Sequence, residues 1–272
     1  MYTISQLFIY PIKSLGGIEV KSAQLTDRGL QYDRRWMLVD DHNHFLTQRE
    51  FPVMALLQTA IENDRLIIYP KNNIGDRFSL PLLPEVKVTA KVTIWDDECT
   101  AQYVSTEADE WFTQKLGMAC RLVYMPDTDK RKVDKQYAHN EEITGFSDGY
   151  PLMIIGQPSL DELNSRLLAP LPMDRFRPNL VFTGGAAFDE DKMEQVKING
   201  VDLFGVKLCA RCVVTTINQS TATKDKEPLK TLATFRQKNN KIYFGQNMLF
   251  TQTGSFTIGD GITLVKEKSS FL

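Results

Sequence analysis

Cys209 and Cys212 stand three positions apart with Arg211 between them, and Val213-Val214-Thr215-Thr216 follows directly. Two soft ligands and an anion clamp meet there. Such a pair can hold zinc, cycle as a redox dithiol, or offer one thiolate to a metal. A zinc knuckle needs a second ligand pair, yet the other cysteines are Cys99 and Cys120, and His42, His44 and His139 are scattered. A thioredoxin-like dithiol sits at a helix N-terminus, whereas Val213 to Ile217 reads as a β-branched strand running on from the second thiol. The pattern favours a thiolate on a soft transition metal.

Three further segments set polar groups in turns. Pro11-Ile12-Lys13-Ser14-Leu15-Gly16-Gly17 joins an ammonium, a hydroxyl and flexible amides after a strand, which suits a phosphate, although the Walker spacing is missing and a solvated turn is the plainer reading. Asp33-Arg34-Arg35-Trp36 and Thr47-Gln48-Arg49 are expected on neighbouring strands of a hairpin. Alternation sends Arg34 and Arg35 to opposite faces, so one must find an anion, or else pair internally with Asp33. Phe146-Ser147-Asp148-Gly149-Tyr150 precedes Arg175-Phe176-Arg177-Pro178-Asn179. There the proline is expected to hold Arg177 extended, and Asn179 has both a donor and an acceptor for a heterocycle edge. Singly, each fits a turn or a surface group as well as a ligand. Together they make one candidate metal thiolate, several arginines and a lysine-serine turn, without a His/carboxylate set for zinc or iron. A molybdopterin, with a phosphate, a polar pterin edge and a dithiolene-bound metal short of one ligand, fits that inventory.

The elements that must position these groups are mostly strands. Short alternating segments predict strands at Ile4 to Tyr10, Val20 to Leu25, Trp36 to Val39, Ala55 to Ile61, Leu66 to Tyr69 and Val86 to Ile94, which suggests a barrel or sandwich. A helix is expected from Thr106 to Leu116, closed by Gly117. Asp127 to Glu142 is polar and reads as an exposed, mobile connection. Beyond it come a strand at Pro151 to Ile155 and a helix signed by a Ser159/Glu162 capping box. Strands are expected at Asn179 to Thr183, Gln195 to Ile198, Val201 to Leu208 and Val213 to Ile217. A short helix starts near Pro228, and strands at Lys241 to Phe244, Met248 to Thr253 and Ile262 to Val265 close the chain.

With 272 residues and 42% hydrophobic content, the chain can bury substantial cores. Its 32 basic and 34 acidic residues nearly cancel, so no global field recruits nucleic acid or an anionic membrane. No apolar run approaches a membrane span and no leader pattern opens the chain, so a cytoplasmic protein is expected.

Several motifs in one order resemble a known family. Tyr10-Pro11-Ile12-Lys13-Ser14, Asp33-Arg34-Arg35-Trp36, Thr47-Gln48-Arg49, Ser147-Asp148, Phe176-Arg177-Pro178-Asn179, Cys209-Ala210-Arg211-Cys212 and Phe244-Gly245-Gln246-Asn247 are similar to those of the two-part MOSC proteins, named for the molybdenum cofactor sulfurase C-terminal domain. The YcbX type and the mitochondrial amidoxime-reducing component are the members it resembles. The resemblance implies a mixed α/β, predominantly β fold, with two β-barrel-like domains and a few short helices. Residues 1–125 would form the N-terminal barrel domain and 126–272 the MOSC domain, with molybdenum cofactor (Mo-molybdopterin) enclosed between them. It implies Cys212 as the metal ligand with Cys209 nearby, and Asp148 as a second catalytic residue. Lys13, Ser14 and Arg34 would hold phosphate and pterin, with Thr47, Arg49, Ser147, Arg177, Asn179 and Arg211 completing the pocket. The activity implied is reduction of small N-hydroxylated compounds; the alternative is a carrier of cofactor or sulfur. Bacterial relatives often carry a ferredoxin domain, and this chain ends soon after its last strand. A separate ferredoxin- or flavodoxin-like donor is therefore expected, docking on the basic run Lys130-Arg131-Lys132. Loss of Lys13 or Arg34 is expected to cost cofactor rather than fold stability.

Overall fold

The structure, a computed structural model, describes residues 1–269. Its first half carries β1 (Tyr2–Ile9), β2 (Ile18–Val20), β3 (Ser22–Thr26), β4 (Gly29–Leu30), β5 (Trp36–Val39), β6 (Leu57–Glu62), β7 (Arg65–Pro70), β8 (Phe78–Pro81), β9 (Thr89–Ile94), β10 (Asp97–Tyr103), α1 (Thr106–Leu116) and β11 (Arg121–Tyr124). The second half carries β12 (Leu152–Gly156), α2 (Gln157–Asn164), β13 (Leu180–Thr183), β14 (Met193–Ile198), β15 (Val201–Ala210), α3 (Leu229–Ala233), β16 (Gln237–Lys238), β17 (Lys241–Phe250), β18 (Gly254–Thr257) and β19 (Gly261–Glu267).

Strands β12, β13, β1, β19, β14, β15 and β17 pair in that order, and β12 pairs back to β17, closing a barrel. The first strand of the chain is thus a stave of the barrel that the second half builds. Smaller sheets run β5-β11-β10-β9, β6-β7-β8 and β18-β3-β4. The predominantly β expectation holds.

Strands buried on both faces were among the readable ones. In β5, Trp36 and Leu38 enter one core while Met37 and Val39 enter another. In β12, Leu152 and Ile154 point into the barrel, and Met153 and Ile155 pack outward against α2 and α3. Such strands are continuous apolar runs. Strand β10 went unread because it buries only small side chains, Cys99 and Ala101, beside Gln102 and exposes the acids at its start. β8, β11 and β18 are four-residue strands, too short to show a period.

Helix α1 keeps its expected bounds, with Ser105 accepting the Ala108 amide and Gly117 left-handed at the C-cap. Other expectations need correction. Ser159 does not cap α2; Gly156 does, and the buried Ser159 hydroxyl donates to Glu190 Oε2 at 2.7 Å while accepting the Phe188 amide. The two expected strands around Gly245-Gln246-Asn247 are one, β17. Gly245 absorbs the break at φ 84°, where a Cβ would lie 2.7 Å from Ile155 Cγ1.

Asp127 to Glu142 is pinned rather than free. Arg131 is buried, donating to Asp97 at 2.7 Å and to the Gly145 and Ser147 carbonyls, and the Val133 amide donates to the Glu142 carbonyl. Lys130 pairs with Asp27 and Lys132 with Glu141. The basic run is neutralised by its own neighbours, so it does not present the free cationic docking surface expected of it.

Candidate functional site

At one end of the barrel the last residues of β1 meet the first residues of β13 and β12: the Phe8 amide donates to the Asn179 carbonyl, and the Asn179 amide to the Met153 carbonyl. The loop after β1 is fastened to β5 by an Ile12–Trp36 bridge and by the Lys13 amide donating to the Trp36 carbonyl at 2.8 Å. A cleft of about 300 Å³ opens there. Every side chain singled out in the sequence for catalysis or cofactor contact lies on its wall.

Lys13 is buried and donates to Asp148 Oδ1 at 2.5 Å. Burial pushes its pKa down to about 8, with Asp148 opposing the shift. Asp148 is the only acid on the wall, and two-thirds of its side chain stays accessible from the cleft (66%). Its enclosed position works to raise its pKa, but Lys13, then Arg49 and Arg34, outweigh that and hold the carboxyl well below the usual range. Ser14 follows Lys13 at φ 68°, its carbonyl accepting from Gln48 Nε2 at 2.6 Å.

Arg34 and Arg177 sandwich the Tyr10 ring, each guanidinium 4.3 Å from its centroid. Arg34 Nη1 donates to both oxygens of buried Asp33 at 2.9 and 2.7 Å, and Nη2 to the Arg177 carbonyl. Both readings of that segment hold at once, an internal pair and a cation facing a cleft. Arg35 leaves on the other side, to Asp127 and the Met125 carbonyl. Removing Arg34 would strand Asp33 as a buried charge, so the expectation that its loss spares the fold is withdrawn. Arg177 is not extended: its φ is 55°. Its carbonyl bond from Arg34 and its own Nη1 bond to the Leu15 carbonyl at 2.7 Å override the pre-proline preference. Burial lowers its pKa to about 10.

Arg49 lies 4.1 Å over the Trp95 ring and 3.7 Å from Asp148, and its amide donates to Thr47 Oγ1. Ser147 donates to the Tyr150 carbonyl at 2.8 Å and shares a hydrogen bond with Thr144. Its segment approaches Arg34 so closely that a Cβ on Gly145 would lie 2.7 Å from the Arg34 carbonyl. Asn179 accepts from the Met153 amide and donates to the Phe8 carbonyl, both at 3.2 Å. Its amide stitches β12 to β1.

The thiols lie at the end of β15. Val213–Thr216 is a 3₁₀ turn, not a strand, because both hydroxyls bond back: Thr215 to the Cys212 carbonyl at 3.0 Å and Thr216 to the Val213 carbonyl at 2.8 Å. No strand runs on from Cys212 to set this pair apart from a redox dithiol. Exposure separates the two thiols instead. Cys212 is exposed; Cys209 is partly buried and accepts from Arg211 Nη1 at 3.0 Å. Burial pushes the Cys209 thiol up, against the pull of Arg211. Arg211 Nη2 holds the Phe176 carbonyl at 2.6 Å, and its Nε is buried without a partner.

Sequence reasoning missed Tyr10 as the plate between two arginines, Trp95 beneath Arg49, and Lys207 and Asn247 on the wall. Tyr10 sat inside a motif and was legible as such. Asn247 too lay in a motif, Phe244-Gly245-Gln246-Asn247, whereas Trp95 and Lys207 carry no local mark. The wall holds six cations, Lys13, Arg34, Arg49, Arg177, Lys207 and Arg211, against Asp148 alone. Among the described residues, Arg177, Lys207 and Arg211 have no carboxylate within ion-pair distance. Such a cleft is built for a polyanion. Among the described residues no three His, Cys, Asp or Glu side chains gather as a metal cage.

Residues 1–119 match the MOSC N-terminal beta barrel domain and 141–263 the MOSC domain. The chain is 30% identical to the mitochondrial amidoxime-reducing component 1 of Mus musculus, over 97% of this chain and 82% of that protein. It is 32% identical to the mitochondrial amidoxime reducing component 2 of Rattus norvegicus, over 96% and 82%. The chain belongs to this two-part MOSC family. It is also 31% identical to the molybdenum cofactor sulfurase of Oryza sativa, over 89% of this chain but only 32% of that protein. The MOSC N-terminal match supplies Lys13, Ser14, Arg34, Thr47 and Arg49 to the cleft, and the MOSC match supplies Ser147, Asp148, Arg177, Asn179, Arg211 and Cys212.

Proposed function

We propose that this protein is a molybdenum-cofactor-dependent reductase of N-hydroxylated compounds, amidoximes, hydroxylamines and N-hydroxylated bases, fed by a separate ferredoxin- or flavodoxin-like donor. One observation carries the reading: an exposed thiol, Cys212, shares a 300 Å³ cleft with six cations and a single acid. The donor set fits an anionic cofactor whose metal takes one protein thiolate. The cation surplus matches a phosphate and an electron-rich pterin, and the orphaned Arg211 Nε is a donor awaiting an acceptor. Lys13, Arg49 and Arg177 would hold the phosphate, Arg211 the pterin side, and Cys212 the metal. When bound, the cofactor supplies two-electron chemistry at a metal with an open position.

The chain's own residues do the rest. Tyr10 fixes two guanidinia before any ligand arrives, so little ordering remains to be done on binding. Asp148 stays ionised and accessible, placed to accept a hydrogen bond from the N–H of an amidoxime or to hold the amidinium product. Overall the reaction consumes two electrons and two protons and releases the N–O oxygen as water. Lys13, its pKa pushed down to about 8 by burial, keeps a proton 2.5 Å from Asp148 at neutral pH.

A division of the chain near residue 125, with β1 lent to the second barrel, a cytoplasmic location, and the absence of nucleic-acid and membrane partners belong to this proposal. No helix among the described residues is long and apolar enough to cross a membrane. The test is molybdenum and pterin analysis of freshly purified protein, with reduction of benzamidoxime by an artificial donor. Molybdenum near one per chain with turnover supports the reading. The likeness to a molybdenum cofactor sulfurase keeps a carrier in view, and bound cofactor without turnover of any N-hydroxylated probe would favour it.

A further inference from the structure

One end of the cleft remains unused by the reading above. Lys207 on β15 stands opposite Asn247 on β17, both on the cleft wall. Directly opposed residues on paired strands bring their side chains within contact of each other. Lys207 Nζ sits 4.4 Å over the Tyr137 ring and 5.7 Å over Tyr150, which fixes the ammonium without neutralising it. It has no carboxylate partner among the described residues, and the Asn247 amide makes no hydrogen bond there. Met153, which pairs with Asn247 in the sheet, gives an apolar surface beside them on the wall. An unpaired cation, an idle amide and an apolar strip side by side form a receptor for a flat body ending in an anion.

Lys207 stands on a different part of the wall from the cofactor's phosphate clamp, with β12 and β17 between them. Lys13 and Arg177 lie on the β1 and β13 side, whereas Lys207 lies on the β15–β17 side. Lys207 pairs with Asn247 and Ala210 with Tyr243, so this extended stretch of β15 covers about 10 Å, and Cys212 stands two positions beyond it. A ligand reaching both must carry its anion several bonds from the group that meets the metal.

We propose that Lys207 and Asn247 form a specificity site for N-hydroxylated substrates that bear a carboxylate or phosphate remote from the N–O bond. This rests on the reductase reading for its substrate class. It does not rest on it for the anion site itself, which binding alone can test.

The experiment compares wild-type holoenzyme with Lys207→Met, which keeps the length of the side chain, and Lys207→Arg, which keeps the charge. The probes are benzamidoxime, 4-carboxybenzamidoxime and 4-phosphonobenzamidoxime. Two quantities are read: the ratio of kcat/KM for each anionic probe to that for the neutral one, and calorimetric affinity for all three without a donor. Lys207→Met should lower the anionic preference about tenfold in both, and Lys207→Arg should retain most of it, with molybdenum and pterin content equal in all three proteins. A response from the carboxylate probe alone, or from the phosphonate alone, identifies the anion. Loss of molybdenum from Lys207→Met would overturn the proposal, because the lysine would then belong to the cofactor. So would a wild-type preference near one. If no probe is turned over, the reductase reading fails by itself, and the calorimetric ratio still decides the anion site.

Discussion

The two ends of the cleft are built on opposite principles. Around Tyr10, each cation already has protein partners: Arg34 holds Asp33 and a carbonyl, Arg177 holds a carbonyl, Lys13 holds Asp148. Around β15 and β17 groups are idle: Cys212 is exposed, Arg211 Nε is orphaned, and among the described residues the Lys207 and Asn247 side chains have neither ion pair nor hydrogen bond. The first arrangement fits a ligand that stays, since preset cations lose little entropy on binding it. The second fits groups that must meet an incoming atom. A cation engaged internally serves the fold and the ligand together, whereas an idle one serves only the ligand.

The largest effect should come from the idle end. Cys212→Ser should reduce benzamidoxime turnover to background, a fall of about a thousandfold or more, because a hydroxyl is a poor substitute for a soft thiolate. Cys209→Ser should keep its molybdenum and most of its turnover. A dead Cys209→Ser beside an active Cys212→Ser would reverse the assignment.

Next comes a contrast within the engaged end. Arg34→Ala should cost about 3–5 kcal/mol of stability by leaving Asp33 buried and unpaired, readable as a lower denaturant midpoint of the cofactor-free protein. Lys13→Ala leaves an accessible Asp148 behind, so it should cost about 1 kcal/mol or less while lowering cofactor occupancy about tenfold. Equal stability losses in the two variants would erase the distinction.

Asn179→Ala tests whether a wall residue can be purely structural. It should cost about 1–3 kcal/mol by unpairing the Met153 amide and the Phe8 carbonyl. Cofactor content per folded molecule should stay at the wild-type level. A normally stable variant that purified without cofactor would make the amide a reader of the pterin instead.

The smallest effect is one of pH. Lys13 is charged below its pKa of about 8 and neutral above it, so cofactor retention on prolonged dialysis should weaken as pH rises through 8. Lys13→Arg should flatten that profile. In the cofactor-free protein the sign is opposite. The folded pKa lies below the ordinary lysine value of 10.5, so the folded state binds fewer protons between about pH 8 and 10.5, and Lys13 contributes stability that grows with pH across that window. Urea unfolding at pH 7.5 and 10 checks it, and a Lys13→Met control removes it.

The sequence by itself determined the strands buried on both faces, because β5 and β12 are uninterrupted apolar runs, and helix α1, because its Ser105 and Gly117 caps are local. It also determined which residues could form a site, since their side-chain chemistry and their order along the chain survive any fold. Tertiary structure decided the rest. Ser159 looked like a cap until Glu190, 31 positions away, claimed its hydroxyl. Val213 to Thr216 looked like a strand until two threonine hydroxyls bonded backward, and Arg177 looked extended until Arg34 and Leu15 held it otherwise. Lys207 has no local mark at all. Only the pairing of β15 with β17, and of β1 with a barrel begun after residue 150, sets it beside Asn247 on the wall that Lys13 shares. Contacts made across long stretches of chain cannot be read from neighbours in sequence, because what selects them is the closure of the barrel rather than the propensity of any segment.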